Sequence, residues 1–143
     1  MTGVVLATHG ELGRALIGAM EMIVGPQPLV AALSLQVADR IEDATSRLQE
    51  ALGVADEGDG VLVLTDMLGG TPSNLCLSLI GGPRPVEVVS GVNLPMLLKA
   101  AQVRRESDLR ETAAQVRKVG RSAIIVASEV LAGPETPAAA SRP

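Results

Sequence analysis

The sequence predicts an α/β fold on a mostly parallel, doubly wound sheet, and three observations carry that prediction. Four apolar runs of strand length, at 4–8, 29–35, 61–65 and 86–90, alternate with stretches of helical spacing or helix-start chemistry. Several of these runs are nearly continuous in Val, Leu and Ile, as in strands covered on both faces. The length of 143 residues suits one domain with one core.

The elements follow in order. After the first strand, residues 11–24 carry Leu12, Ala15, Leu16, Ala19, Met20 and Ile23 in one stripe at three-to-four spacing, and Gly25-Pro26 stops the helix. After the second strand, residues 39–52 repeat the device with Ile41, Ala44, Thr45, Leu48, Ala51 and Leu52, ending at Gly53. Residues 54–60, with Asp56, Glu57 and Asp59, read as a solvated acidic loop before the third strand. Thr71-Pro72 offers a hydroxyl cap followed by proline at the first helical position, and Gly81-Gly82-Pro83 closes that short helix. Asn93-Leu94-Pro95 starts another helix after the fourth strand, and Ser107 is the expected cap of one spanning 109–119. The apolar run 123–127 reads as a fifth strand. The domain is expected over 1–130; residues 131–143, rich in Ala and Pro with little apolar surface, are expected to be a disordered tail.

Composition narrows the function. There is no Phe, Tyr or Trp, so the core is aliphatic and no aromatic platform exists for stacking bases; a net charge of -4 gives no broad positive field for a phosphate backbone. Nucleic acid is not an expected partner. No apolar run approaches the ~20 residues of a spanning helix, and Met1-Thr2-Gly3 lacks a basic signal-peptide region, so a cytoplasmic protein is expected. One Cys and one His leave no intrachain disulfide and no soft-ligand zinc site, and Cys76, between two leucines, reads as a small buried hydrophobe. There is no Walker-type loop, and Thr8-His9-Gly10-Glu11-Leu12-Gly13 lacks the glycine order of a dinucleotide fingerprint, which argues against direct use of ATP or NAD.

In open parallel sheets the ligand crevice lies beyond the carboxyl ends of the strands. That rule selects His9-Gly10 after strand one, Asp66 to Thr71 after strand three and Gly91-Val92-Asn93 after strand four. If strands one and three are neighbours, as in the order 2-1-3-4, the only histidine faces the Asp66 carboxylate. A neutral imidazole with one ring N–H held by a carboxylate presents its other nitrogen to an electrophile. Gly10, Gly69 and Gly70 permit close backbone approach, and the helix starts at Glu11 and Thr71 supply N–H donors, which favours a phosphorus electrophile. Each residue has a plainer reading. A lone His9 can be structural, Asp66 can cap a turn, Gly69-Gly70 can be only a tight turn, and Thr71-Pro72 is a good helix start with no ligand. Arg14 and Lys99 read as solvated.

Three segments, Val5-Leu6-Ala7-Thr8-His9-Gly10, Leu64-Thr65-Asp66-Met67-Leu68-Gly69-Gly70-Thr71-Pro72-Ser73-Asn74 and Val89-Ser90-Gly91-Val92-Asn93-Leu94-Pro95-Met96, together resemble the mannose-family enzyme IIA of the bacterial phosphoenolpyruvate-dependent sugar phosphotransferase system. The likeness spans roughly residues 3 to 128, in the family's order and spacing. The resemblance implies that His9 accepts a phosphoryl group from the phosphocarrier HPr, that Asp66 bonds the same ring, and that Thr71 with the nearby backbone of Gly10, Gly69 and Gly70 binds the phosphoryl group. It implies an enzyme IIB as acceptor, no metal and no organic cofactor, and a homodimer that exchanges an antiparallel edge strand, here 123–127. Many relatives continue through an Ala/Pro-rich linker into a IIB domain, whereas this sequence stops at Pro143. Two rival readings stand beside this one: the phosphoryl-transfer subunit of a dihydroxyacetone kinase, and a non-catalytic sensor whose phosphorylation state reports to a partner.

Overall fold

The structure is a computed structural model that describes residues 1–133; the tail expected beyond the last element lies outside the described residues from position 134. The chain runs β1 (Gly3–His9), α1 (Leu12–Val24), β2 (Val30–Leu35), α2 (Ile41–Ala55), β3 (Val61–Thr65), α3 (Thr71–Leu77), β4 (Val86–Ser90), α4 (Leu94–Val103), α5 (Leu109–Ser122) and α6 (Ala127–Leu131). The four strands are all parallel in the order β2-β1-β3-β4. Strands one and three are therefore neighbours.

Alternation along the buried strands explains the near-continuous apolar runs. In β1, Val5 and Ala7 face one layer with Leu48 and Leu52 of α2 and Cys76 of α3, while Val4 and Leu6 face the other with Met20 of α1, Leu97 of α4 and Val116 of α5. Strands β3 and β1 are thus apolar on both sides because helices cover both sides. Burial pushes the Cys76 thiol up to about 12, consistent with an inert core residue.

Three expectations need correction. The run 123–127 forms no strand in its own chain: the backbone leaves α5 at Ser122, turns into α6 at Ala127, and leaves Ile124, Ile125 and Val126 exposed, Ile124 at 81%. The antiparallel edge strand is absent from the four-stranded sheet of the described residues, because β-prone side chains make a strand only where a neighbouring backbone completes the ladder. Thr71 is the first residue of α3 and not its cap; Gly70 takes the cap position without a side-chain bond. Asp108, not Ser107, caps α5, accepting the Glu111 amide at 2.8 Å. A carboxylate suits a helix start better than a hydroxyl, because it also meets the positive end of the dipole.

One buried cation escaped the sequence reading. Arg104, 1% exposed at the end of α4, donates from Nη1 to the carbonyls of Thr2 and Leu29 and from Nη2 to Gln27 Oε1 and, at 2.6 Å, to the Pro28 carbonyl. These bonds clamp the segment that enters β2, including Leu29, which sits at φ 55, a left-handed conformation costly for a branched side chain. Replacing Arg104 with Met keeps the volume but strands these acceptors. Urea denaturation of Arg104→Met is expected to show a loss of at least about 2 kcal/mol, since each buried acceptor left unpaired costs about 1–3 kcal/mol; an unchanged midpoint would show that the clamp is dispensable.

Candidate functional site

The carboxyl ends of β1 and β3 build the site. Register places Ala7 beside Thr65, so the chain just past Thr65 runs alongside the end of β1. Asp66 there turns its carboxylate onto His9 in two ways: Oδ2 accepts the His9 backbone amide at 3.1 Å and meets ring Nδ1 at 2.9 Å. Oδ1 accepts the Met67 amide at 3.1 Å, which orients the carboxylate from behind. One oxygen thus holds both the main chain and the ring of the same residue, leaving the imidazole little freedom about its side-chain torsions.

The electrostatics assign the proton. Burial alone pushes the Asp66 carboxyl up, but the bonds from the His9 ring and the His9 backbone, with the attraction of the ring, outweigh it and hold the carboxyl below its ordinary value. The carboxylate is therefore ionised at neutral pH and accepts, so Nδ1 is the ring nitrogen that donates to it, and the tautomer this selects leaves the lone pair on Nε2. The His9 side chain is 49% exposed and that of Asp66 only 14%, which places the orienting carboxylate beneath an accessible ring.

Glycine at 70 is required by space. A Cβ built there would lie 2.9 Å from His9 Cε1 and 3.2 Å from Nε2, so any side chain displaces the ring at its reactive edge. Gly10, at φ 54, turns the chain sharply after His9, and its amide is held by the Leu35 carbonyl at 2.8 Å. Gly69 lies at φ 93 in the turn that brings α3 to the ring. Thr71 opens α3 beside Pro72, in a helical first turn whose amides have no preceding carbonyl to bond. His9, Asp66, Gly10, Gly70 and Thr71 thus come together as the sequence rule expected. Thr71 reaches the site from the first turn of its helix instead of from the cap.

Several participants were not anticipated. Thr71 and Pro72 share a cleft of about 370 Å³ with His9, Gly10, Leu35, Val37 and Ile41, whose far wall is the loop from β2 to α2. That loop is braced by Asp39, which accepts the Gln36 amide at 2.7 Å and Arg47 Nη1 at 3.1 Å. The Gln36 bond foremost, helped by Arg47 against the opposing effect of desolvation, holds the Asp39 carboxyl below its ordinary range. Asp39 within an apparent helix start was the only local signal for this wall. The Asp66 loop is anchored in turn: Thr65 Oγ1 and Ser90 Oγ meet at 2.7 Å, and the Thr65 carbonyl accepts the Gly91 and Val92 amides, both at 2.9 Å. The Gly91 loop thus supports the site without reaching the ring. Arg14 lies on the surface with Glu11 at 3.3 Å, as expected.

The sequence profile of the family described as PTS system fructose IIA component matches residues 3–117. The fructose-specific EIIA component of the phosphotransferase system of Bacillus subtilis is 29% identical over 92% of this chain and 90% of its own length. The mannose-specific EIIAB component of Escherichia coli is 29% identical over 96% of this chain, which spans only 44% of that longer protein. Among solved structures, the phosphotransferase-system EIIA component of Streptococcus agalactiae superposes with a TM-score of 0.81 at 27% identity, covering 90% of this chain and 99% of that one. The mannose/sorbose-specific IIA subunit of Enterococcus faecalis gives 0.78 at 30% identity, covering 87% and 93%.

The depressed Asp66 carboxyl has a defined pH consequence. A carboxyl whose folded value lies below its unfolded value stabilises the fold fully above the unfolded value, near 3.8, and loses that contribution as pH falls through the folded value. An NMR titration of the Asp66 side-chain carbon is expected to give a midpoint below 3.8, and Asp66→Asn to flatten the acid limb of the stability curve in that window. A midpoint at or above the ordinary value would mean that burial wins over the His9 bonds.

Proposed function

This chain belongs to the phosphotransferase-system fructose IIA component family, a family of phosphocarriers in sugar uptake, and we propose that His9 is the residue that carries the phosphoryl group, receiving it from phosphorylated HPr and passing it to an enzyme IIB. The observation that carries the proposal is the 2.9 Å contact of His9 Nδ1 with Asp66 Oδ2, which leaves Nε2 as the nucleophile in an exposed position beside Gly70.

Transfer is a nucleophilic exchange between nitrogens. The Nε2 lone pair forms a bond to phosphorus as the phosphorus–nitrogen bond of the donor ring breaks and its electron pair returns to the donor imidazole. One such bond is made for one broken, so the step is close to balanced and the protein's task is alignment. Positive charge grows on the His9 ring as the bond forms, and the Asp66 carboxylate at Nδ1 opposes it. On this reading Thr71, with the amides of the Gly69-Gly70 turn and the α3 start, donates to the phosphoryl oxygens. Val37 and Ile41, exposed on the rim of the cleft, supply an apolar surface for a docking protein.

The proposal includes a homodimer. Ile124, Ile125 and Val126 form an exposed apolar run that pairs with no strand among the described residues, and pairing with the sheet edge of a second copy would complete the ladder.

Two outcomes are expected. With labelled phosphoenolpyruvate, enzyme I and HPr, the protein acquires acid-labile label that His9→Ala abolishes, and Asp66→Asn slows single-turnover transfer by at least ~100-fold with the fold intact, because the amide can present either an oxygen or an N–H to the ring. Label persisting in His9→Ala would overturn the assignment. Analytical ultracentrifugation is expected to show a dimer that Ile125→Lys weakens; a monomer at micromolar concentration would overturn the dimer.

A further inference from the structure

We propose that Thr8 is a positioning residue for the reaction, its hydroxyl fastening the turn that carries His9 to the start of α1; the inference rests on the phosphoryl-carrier reading of His9. The start of α1 lacks a local cap. Glu11 holds the cap position at φ -91, ψ 8 and makes no side-chain cap bond, so the first amides of the helix need another acceptor. Gly13 is buried, and its amide finds one five residues back, in Thr8 Oγ1 at 2.8 Å. Thr8 itself is 0% exposed, so no water competes for either partner.

The span of that bond gives it a role beyond capping. Between Thr8 and Gly13 lie His9, the left-handed Gly10, Glu11 and Leu12. The turn is tied outward at two points, His9 N to Asp66 Oδ2 at 3.1 Å and Gly10 N to the Leu35 carbonyl at 2.8 Å. The Thr8 hydroxyl supplies the third tie, from the end of β1 to the first turn of α1, and closes the loop around the histidine. Gly13 is shaped for it. A Cβ there would lie 3.1 Å from Thr8 Oγ1 and 3.2 Å from Leu6 Cβ, so a side chain would press α1 back from β1 by a few tenths of an ångström. Threonine and glycine act as a matched pair, one supplying the acceptor and the other the approach.

Without the tie, the buried Gly13 amide has no partner and relaxes by moving α1 away from β1, and the turn moves with it. Asp66 then holds a ring on a mobile backbone. Misplacement of about 1 Å is enough to cost orders of magnitude in a step that depends on alignment. The effect falls on the transfer step and not on docking, because Thr8 is buried and touches no partner.

The test uses the full chain with phosphorylated HPr. Thr8→Val keeps the shape and removes the acceptor, Thr8→Ser keeps the oxygen, and Gly13→Ala keeps both groups but drives them apart. Single-turnover transfer is expected to fall at least ~10-fold in Thr8→Val and in Gly13→Ala with the half-saturating HPr concentration unchanged, and Thr8→Ser is expected to recover most of the rate. Hydrogen exchange at the Gly13 amide is expected to quicken in Thr8→Val and not in Thr8→Ser. If Thr8→Val does not fold, Gly13→Ala and Thr8→Ser decide the matter on the same readouts. Wild-type transfer rates in Thr8→Val, or equal slowing in Thr8→Ser with Gly13 still protected, would overturn the inference. Should the wild-type protein take no phosphoryl group from HPr, the carrier reading fails instead, and the His9 Nδ1–H resonance decides here: broadening in Thr8→Val alone supports the tie, and identical spectra refute it.

Discussion

The parallel pairing of β1 with β3 is the constraint on which the rest of this structure depends. His9 ends one strand and Asp66 follows the other, 57 positions later in the chain, and only lateral neighbours in the sheet bring them to 2.9 Å. The crossover through β2 and α2 lies between them in sequence, yet β2 packs on the far side of β1 and leaves the β1–β3 seam open at its carboxyl end. Strand order therefore creates both the crevice and the pairing of a base with its orienting carboxylate.

The same pairing explains why so exposed a ring can be well oriented. A half-exposed histidine ordinarily samples several rotamers. Here a single carboxylate oxygen engages its main chain and its ring together, while Gly70 leaves room for the ring edge and no more. Order at the ring comes from backbone groups and a partly buried carboxylate, so the reactive nitrogen needs no contact that would cover it. Access and alignment, which usually compete, are assigned to opposite sides of one imidazole.

Away from the site the molecule meets the demands of a wholly aliphatic core by layering. With no aromatic ring to fill volume, the sheet is covered on both faces by Leu, Val, Ala and Met from five helices, and the two layers divide the strand residues between them by alternation. At the edge opposite the crevice, where loop carbonyls would otherwise be buried without donors, the Arg104 guanidinium takes up several at once. The polar investment of this protein is therefore concentrated at the two ends of the sheet: a carboxylate–imidazole pair at one and a guanidinium clamp at the other.

Much of this was legible in the sequence because it depends on local patterns. The four strands and the helices α1, α2, α4 and α5 follow from apolar spacing and from Gly-Pro punctuation, and the residues at the strand ends that could carry chemistry were selected by a rule about where parallel sheets bind ligands. The Asp-x-x-Gly-Gly-Thr-Pro segment, with its neighbours, was specific enough to identify the family. Tertiary structure decided what depends on distant backbone. Arg104 carried no signal in the sequence, because nothing near it in the chain reveals the carbonyls of residues 2, 28 and 29 that surround it. Residues 123–127 had the composition of a strand, but a strand forms only where it reaches an edge to pair with, and among the described residues this run lies between α5 and α6, paired to neither edge of the sheet. The loop facing His9 across its cleft likewise came from the register of β1 against β2, which sets Leu35 beside His9. Sequence determined the elements and the candidate chemistry, since short-range periodicity and motif spacing encode them; the fold determined which groups meet, since hydrogen bonds over tens of residues are fixed only when the sheet closes.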